Sequence, residues 1–176
     1  MKHVRVTSAL TVAALLMLAS YAQAQSIPPE GELHVTYAAT SVPPVKPMDI
    51  GEGNQYLQVN LIMSASNDQG NPILNNMGGR CQLTRLMENG KIVEQHGYCT
   101  YSDADNDQIF EKCDVSSGQA LPAGATNLCK LTGGTGKFQG LQASLAITSM
   151  PIKSTYEGAF QIVGHKNGTY KIVKTN

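Results

Sequence analysis

The stretch LTGGTGKFQGLQASLAITSM, Leu131–Met150, passes through four glycines and then alternates. Leu141, Ala143, Leu145 and Ile147 fall on one side, and Gln142, Ser144, Ala146 and Thr148 on the other. This is the two-residue period of a half-buried strand. The glycines beside Lys137 raise a nucleotide reading, and the details exclude it. A Walker loop needs G-x-x-x-x-G-K-[ST] leading into a helix. Here Leu131 occupies the first glycine position, Phe138 stands where the hydroxyl belongs, and a strand follows in place of a helix N-terminus. Gly133, Gly134 and Gly136 are expected instead to supply positive-φ backbone, turning one strand into the next with Phe138 packed as a plug.

Working outward, the same period recurs. ELHVTYAAT (Glu32–Thr40) places Leu33, Val35 and Tyr37 opposite Glu32, His34 and Thr36, and QYLQVNLIMS (Gln55–Ser64) is the next strand. Between them, Ser41–Asn54 carries three prolines and two glycines and reads as a long loop. Asn67–Gly79 is rich in turn residues. RCQLTRLM and KIVEQHGYCTY flank Asn89-Gly90, the strongest short hairpin signal. SDADND turns into QIFEKCDVS, a loop leads to LCKLT, and STYEGAFQIVG and TYKIVK are read as a second Asn-Gly hairpin about Asn167-Gly168. No useful length shows helical periodicity. About nine strand-like runs at short spacing indicate an all-β sandwich or barrel.

Lys2 and Arg5, an apolar run from about Ala9 to Ala19 and the triplet Ala22-Gln23-Ala24 have the form of a secretory leader. The run is shorter than the ~20 residues needed to span a bilayer. Residues 1–24 are therefore expected to be a signal peptide and 25–176 one domain, exported to the periplasm or the extracellular space. With Lys2 and Arg5 in the leader, the remaining basic residues fall two short of the 13 acidic ones. That balance excludes a nucleic-acid footprint, and no polybasic run or membrane-inserting segment follows the leader.

Cys81, Cys99, Cys113 and Cys129 lie 14 to 18 positions apart, without the close pair that zinc sites use. An even count in an exported chain favours two disulfides. Three connectivities are open; Cys81–Cys99 with Cys113–Cys129 is preferred because each pair brackets a strand connection. If Asn89-Gly90 is a two-residue turn, Cys81–Cys99 needs a one-residue slip, for which Gly97 is the candidate bulge.

Chemical motifs are sparse. Asp103, Asp105 and Asp107 begin like a calcium loop, but Gln108 replaces its glycine and Asp114 its terminal glutamate; an acidic hairpin turn is the preferred reading. His34, His96 and His165 form no metal motif, and no nucleophile elbow is present. No cofactor and no metal are expected.

Cys129–Ile162, with its G-G-T-G-x-F-x-G turn between strands, resembles the second half of the allene oxide cyclase and dirigent-like β-barrels, and SDADNDQIF is similar to an acidic hairpin of bacterial relatives. The resemblance covers about residues 80–175. It implies a single antiparallel eight-stranded barrel with an apolar interior, dimeric or trimeric. The acidic and asparagine-rich first-strand motif of the plant cyclases is not matched by GELHVTYAATSVPP, so their catalytic residues do not carry over.

Three functions remain in order. The first is binding of a small apolar or amphipathic molecule in the barrel, with Tyr37, Tyr56, Tyr156, Phe160 and Ile162 as candidate lining. The second is a cofactor-free cyclase or isomerase, which needs an interior ionisable group; Glu32, His34, His96 and Glu157 are its candidates. The third is a structural or interaction module acting through the Ser41–Asn54 loop.

Overall fold

The computed structural model describes residues 27–43, 45–116 and 125–174. The expected leader, residues 1–24, lies outside the described residues, as do residues 117–124 of the loop after QIFEKCDVS. The strands are β1 (Glu30–Ser41), β2 (Met48–Gly51), β3 (Asn54–Asn67), β4 (Met77–Glu88), β5 (Lys91–Ser102), β6 (Gln108–Val115), β7 (Asn127–Gly134), β8 (Leu141–Ile152) and β9 (Gln161–Ile172). Each pairs antiparallel with its neighbour in the order β1-β9-β8-β7-β6-β5-β4-β3-β2. Pairing of β1 with β3, from Val35 opposite Asn67 to Ser41 opposite Leu61, closes the sheet. Eight strands thus form a closed barrel, and β2 is an extra strand on the free part of β3.

Closure follows from the alternation. Leu33, Val35, Tyr37 and Ala39 of β1, Val59, Leu61, Met63 and Ala65 of β3, and Leu141, Ala143, Leu145 and Ile147 of β8 all point into one core. Their sequence neighbours point outward, so the interior of the wall is apolar. No helix among the described residues is long and apolar enough to cross a membrane.

One barrel end is filled. Phe138, carried on a single 3-10 turn over Gly136–Phe138, is fully buried. Gly133 and Gly136 have φ of 149° and 51°, whereas Gly134 has no positive φ; a Cβ on Gly134 would meet Phe138 Cβ at 2.6 Å. The turn-rich Asn67–Gly79 segment also contributes, because Ile73 and Leu74 are wholly buried and Met77–Gly79 already belong to β4.

Both disulfides are Cys81–Cys99 and Cys113–Cys129, between residues directly opposite on β4–β5 and β6–β7. The one-residue slip needed for the first is not at Gly97. The register shifts between Leu86 and Met87, leaving Val93 as the extra residue next to the Asn89-Gly90 turn. Gly97 sits in regular pairing opposite Leu83, whose Cδ2 occupies the place of a Cβ. A second shift, between Phe110 and Glu111, leaves Thr132 extra on β7 and brings Cys113 opposite Cys129.

Two further expectations are corrected. Asn167-Gly168 is no hairpin: β9 runs straight through it, flanked by His34 and Leu33 on β1 and by Ala146 and Leu145 on β8. A strand with ladder partners on both sides overrides the local turn preference. The Ser41–Asn54 segment is not loop throughout, since Met48–Gly51 forms β2 against β3.

Candidate functional site

Straightening β9 turns Lys166 into the barrel. Ile162, Gly164, Lys166 and Tyr170 lie on its inner side, and Lys166 is buried. Glu111 points inward between Ile109 and Cys113 of β6 and Tyr101 is the inward residue after Cys99 on β5. The Lys166 ammonium donates to Glu111 Oε1 and Oε2 at 2.7 and 2.6 Å and to the Tyr101 hydroxyl at 2.9 Å. Tyr101 in turn donates to Glu111 Oε2 at 2.9 Å. Lys166 Nζ also lies 5.2 Å from the ring centroids of both Tyr37 and Tyr101. The Lys166 and Glu111 side chains are 2% and 0% exposed, so the pair is sealed from bulk water. Burial, reinforced by the charge of Glu111, pushes the Tyr101 phenol well above its usual range, leaving it a neutral donor. The Glu111 carboxylate also lies within 4.8 Å of the sulfur atoms of both disulfides. All four sulfurs are oxidised, so none is a thiolate ligand or nucleophile.

Above this floor a cavity of about 50 Å³ leads to the barrel end away from Phe138. Its polar lining comes from Tyr37, Arg85, Gln95, Asn127 and Ser149, above Lys166 and Glu111. Arg85 Nε donates to Gln95 Oε1 at 2.6 Å, and its guanidinium carbon stands 5.8 Å over the Phe160 ring. Burial lowers the Arg85 pKa, opposed by Tyr37. The Tyr37 hydroxyl is 2.6 Å from Ser149 Oγ, and burial raises its pKa more than that bond lowers it.

The sequence candidates divide around this cavity. Tyr37 and Ile162 line it, and Phe160 packs half-buried at its edge. Tyr56 and Tyr156 are 38% and 67% exposed. Tyr56 lies on the outward side of its strand, and Tyr156 lies in the turn before β9, so neither lines the cavity. Glu32, His34, His96 and Glu157 all lie on the outer surface. His34 bonds Asn167 at 3.1 Å and Glu32 at 3.3 Å. His96 lies between Glu94 at 2.7 Å and Asp114 at 3.1 Å, hydrogen bonds that raise its pKa. Among the described residues the charged side chains on the inner side of the wall at this cavity are Lys166, Glu111 and Arg85, which sequence reading missed. Glu111 was accessible in principle, through the alternation Ile109, Glu111, Cys113. Lys166 was hidden by the hairpin reading of Asn167-Gly168.

The acidic turn holds a cation of its own. Lys137 Nζ lies 2.7, 2.6 and 3.8 Å from carboxylate oxygens of Asp103, Asp105 and Asp107. These bonds raise the Lys137 pKa, and an ammonium fills the position a calcium ion would take. Burial alone would raise the Asp103 carboxyl. Its bonds to Lys137 and to the backbone N–H groups of Asp105 and Asp107 outweigh burial and hold it below the usual range.

No family model matches this chain, and no curated protein matches it. Among solved structures it is similar to a pterocarpan synthase dirigent protein, at 11% identity, covering 88% of this chain and 100% of that one with a TM-score of 0.46. No conclusion about activity rests on a likeness of that size; the barrel is defined by its own strand pairing.

Proposed function

We propose that this chain is an exported barrel that holds a small amphipathic molecule at its open end without turning it over. The carrying observation is the convergence of Tyr37, Arg85, Gln95, Asn127 and Ser149 on a cavity that lies above the Lys166–Glu111 pair and is otherwise walled by apolar side chains and disulfides. Small-molecule sites combine apolar walls with a few such orienting groups. The leader-like N-terminus and the two disulfides support export into an oxidising compartment. A space of about 50 Å³ is far below the ~300 Å³ of an enclosed drug-sized ligand. The proposal therefore seats the polar part of the ligand in the barrel and its remainder at the mouth.

That tight interior also favours a second reading, an interaction module whose barrel is a scaffold. Met48 and Ile50 of the β2 hairpin, 56% and 49% exposed, would be its contact surface. Turnover has less support, because Lys166 and Glu111 are bound to each other and none of the four outer-surface candidates reaches the cavity. Native mass spectrometry of protein purified from its exporting host tests the proposal. A co-purifying small molecule is expected, and Ser149→Trp, which fills the cavity mouth, should release it. A ligand-free barrel that captures a partner protein through the β2 hairpin would favour the second reading.

A further inference from the structure

Arg85 follows Cys81 and Leu83 on the inward side of β4, where the alternation calls for an apolar residue. Its one hydrogen-bond acceptor among the described residues is the neutral Gln95 amide, and its guanidinium stands over the Phe160 ring. It takes part in none of the ion pairs among the described residues. The remaining segments of the chain contain no Asp or Glu. Lys166, by contrast, is fully matched by Glu111. Arg85, half-buried at the cavity, is therefore a positive charge without a counter-ion among the described residues. Arginine keeps its charge even where burial lowers its pKa, and a charge partly withdrawn from water gains from an anionic partner.

The guanidinium fork matches a carboxylate in bidentate geometry. Here Nε is held by Gln95, which fixes the plane of the fork and leaves the terminal nitrogens unassigned. The cavity beside it, about 50 Å³, exceeds the ~30 Å³ share of one water and is too small for a ring system. Ser149 and Asn127 add side-chain donors on the same lining. We propose that Arg85, oriented by Gln95, anchors the carboxylate of a small amphipathic ligand whose apolar part lies against Phe160 and Ile162. This rests on the ligand-binding reading above and specifies the chemical class of its head group.

Two probes of nearly equal shape, cyclohexanecarboxylate and cyclohexylmethanol, test it by NMR titration of the full oxidised protein at pH 7. The carboxylate is expected to bind about 10- to 100-fold more tightly, the difference made by a hydrogen bond to a charged group. It should also move the Arg85 Nε–H resonance of the wild type, a readout that needs no variant. Arg85→Met should bring carboxylate affinity down to that of the alcohol, and Arg85→Lys should restore part of the gap. Equal binding of both probes to the wild type would overturn the anion assignment and leave ligand binding standing. Binding of neither probe at millimolar concentration would overturn both.

Discussion

Lys166→Met removes the cation from the barrel interior while keeping most of the side-chain volume, and the cost can be worked from the contacts. The ammonium makes bonds of 2.6 and 2.7 Å to the two carboxylate oxygens and 2.9 Å to Tyr101. After the substitution Glu111 retains the Tyr101 hydroxyl alone, at 2.9 Å, with no ammonium to balance it. With side-chain exposures of 2% and 0%, bulk water does not repay the loss. Breaking such a buried pair from one side costs about 3–5 kcal/mol, a large part of the ~5–15 kcal/mol that holds a domain folded. Glu111→Gln should fall in the same range. The double variant Lys166→Met/Glu111→Leu should return to within about 1 kcal/mol of wild type or exceed it, because removing both charges removes the desolvation cost as well. Equilibrium urea unfolding without reductant, with both disulfides intact, gives the free energies. Lys166→Met within about 1 kcal/mol of wild type would refute the reasoning, as would a double variant no better than the singles.

Opening Cys113–Cys129, with its sequence separation of 16, should cost about 3 kcal/mol, read as the unfolding difference between wild type and Cys113→Ala/Cys129→Ala. Gly164→Ala places a Cβ against Thr148 O and 2.9 Å from the Tyr37 ring; since the first contact is backbone, a loss of about 1–3 kcal/mol is expected, and thermal melts showing no change would contradict it. Asp103→Asn should cost about 1 kcal/mol at pH 7. Because the folded-state pKa of Asp103 is depressed, its contribution is present above the ordinary carboxylate range and lost as pH falls through the folded value. The gap between variant and wild type should therefore close only as pH falls below the ordinary carboxylate range, as urea midpoints measured across the acid range will show. Calcium should leave the wild-type melting temperature unchanged, because Lys137 already fills the acidic turn.

The wall of the barrel was legible because its signal is periodic and local. Leu141, Ala143, Leu145 and Ile147 state their own face, and Asn89-Gly90 forms the two-residue turn with φ of 50° and 79° that such a pair favours. The interior site was not legible for the opposite reason. Asn167-Gly168 carries the same local preference as Asn89-Gly90, and only pairing with both β1 and β8 decides against the turn. Reading a turn there hid the inward direction of Lys166, and with it the reason for a glutamate between Ile109 and Cys113. Arg85 follows two apolar inward positions, and a charged residue at the end of such a run reads equally well as the strand leaving the core. The disulfide pairing fell between these cases: the partners were legible, but the bulge at Val93 that aligns the first of them was not.

The positions of the covalent and ionic links explain why a charge pair belongs in this core. Both disulfides join neighbouring strands, β4 to β5 and β6 to β7, so each closes a local connection of 18 or 16 residues. Neither spans the barrel or touches the β1–β3 seam, the pairing of strands distant in sequence that closes it. Lys166 does span it, reaching from β9 past β8 and β7 to Glu111 on β6. A misregistered β9 would place His165 or Asn167 inside and leave the Glu111 carboxylate with the Tyr101 hydroxyl but no ammonium in the core, a cost far above that of a slipped aliphatic contact. The pair is therefore expected to specify the register of β9 where disulfides cannot. Hydrogen exchange of the β9 amides in Lys166→Met/Glu111→Leu gives the decisive comparison. If the pair sets register, β9 should exchange faster than in the wild type even though global stability is restored. Unchanged protection would show that packing alone fixes β9.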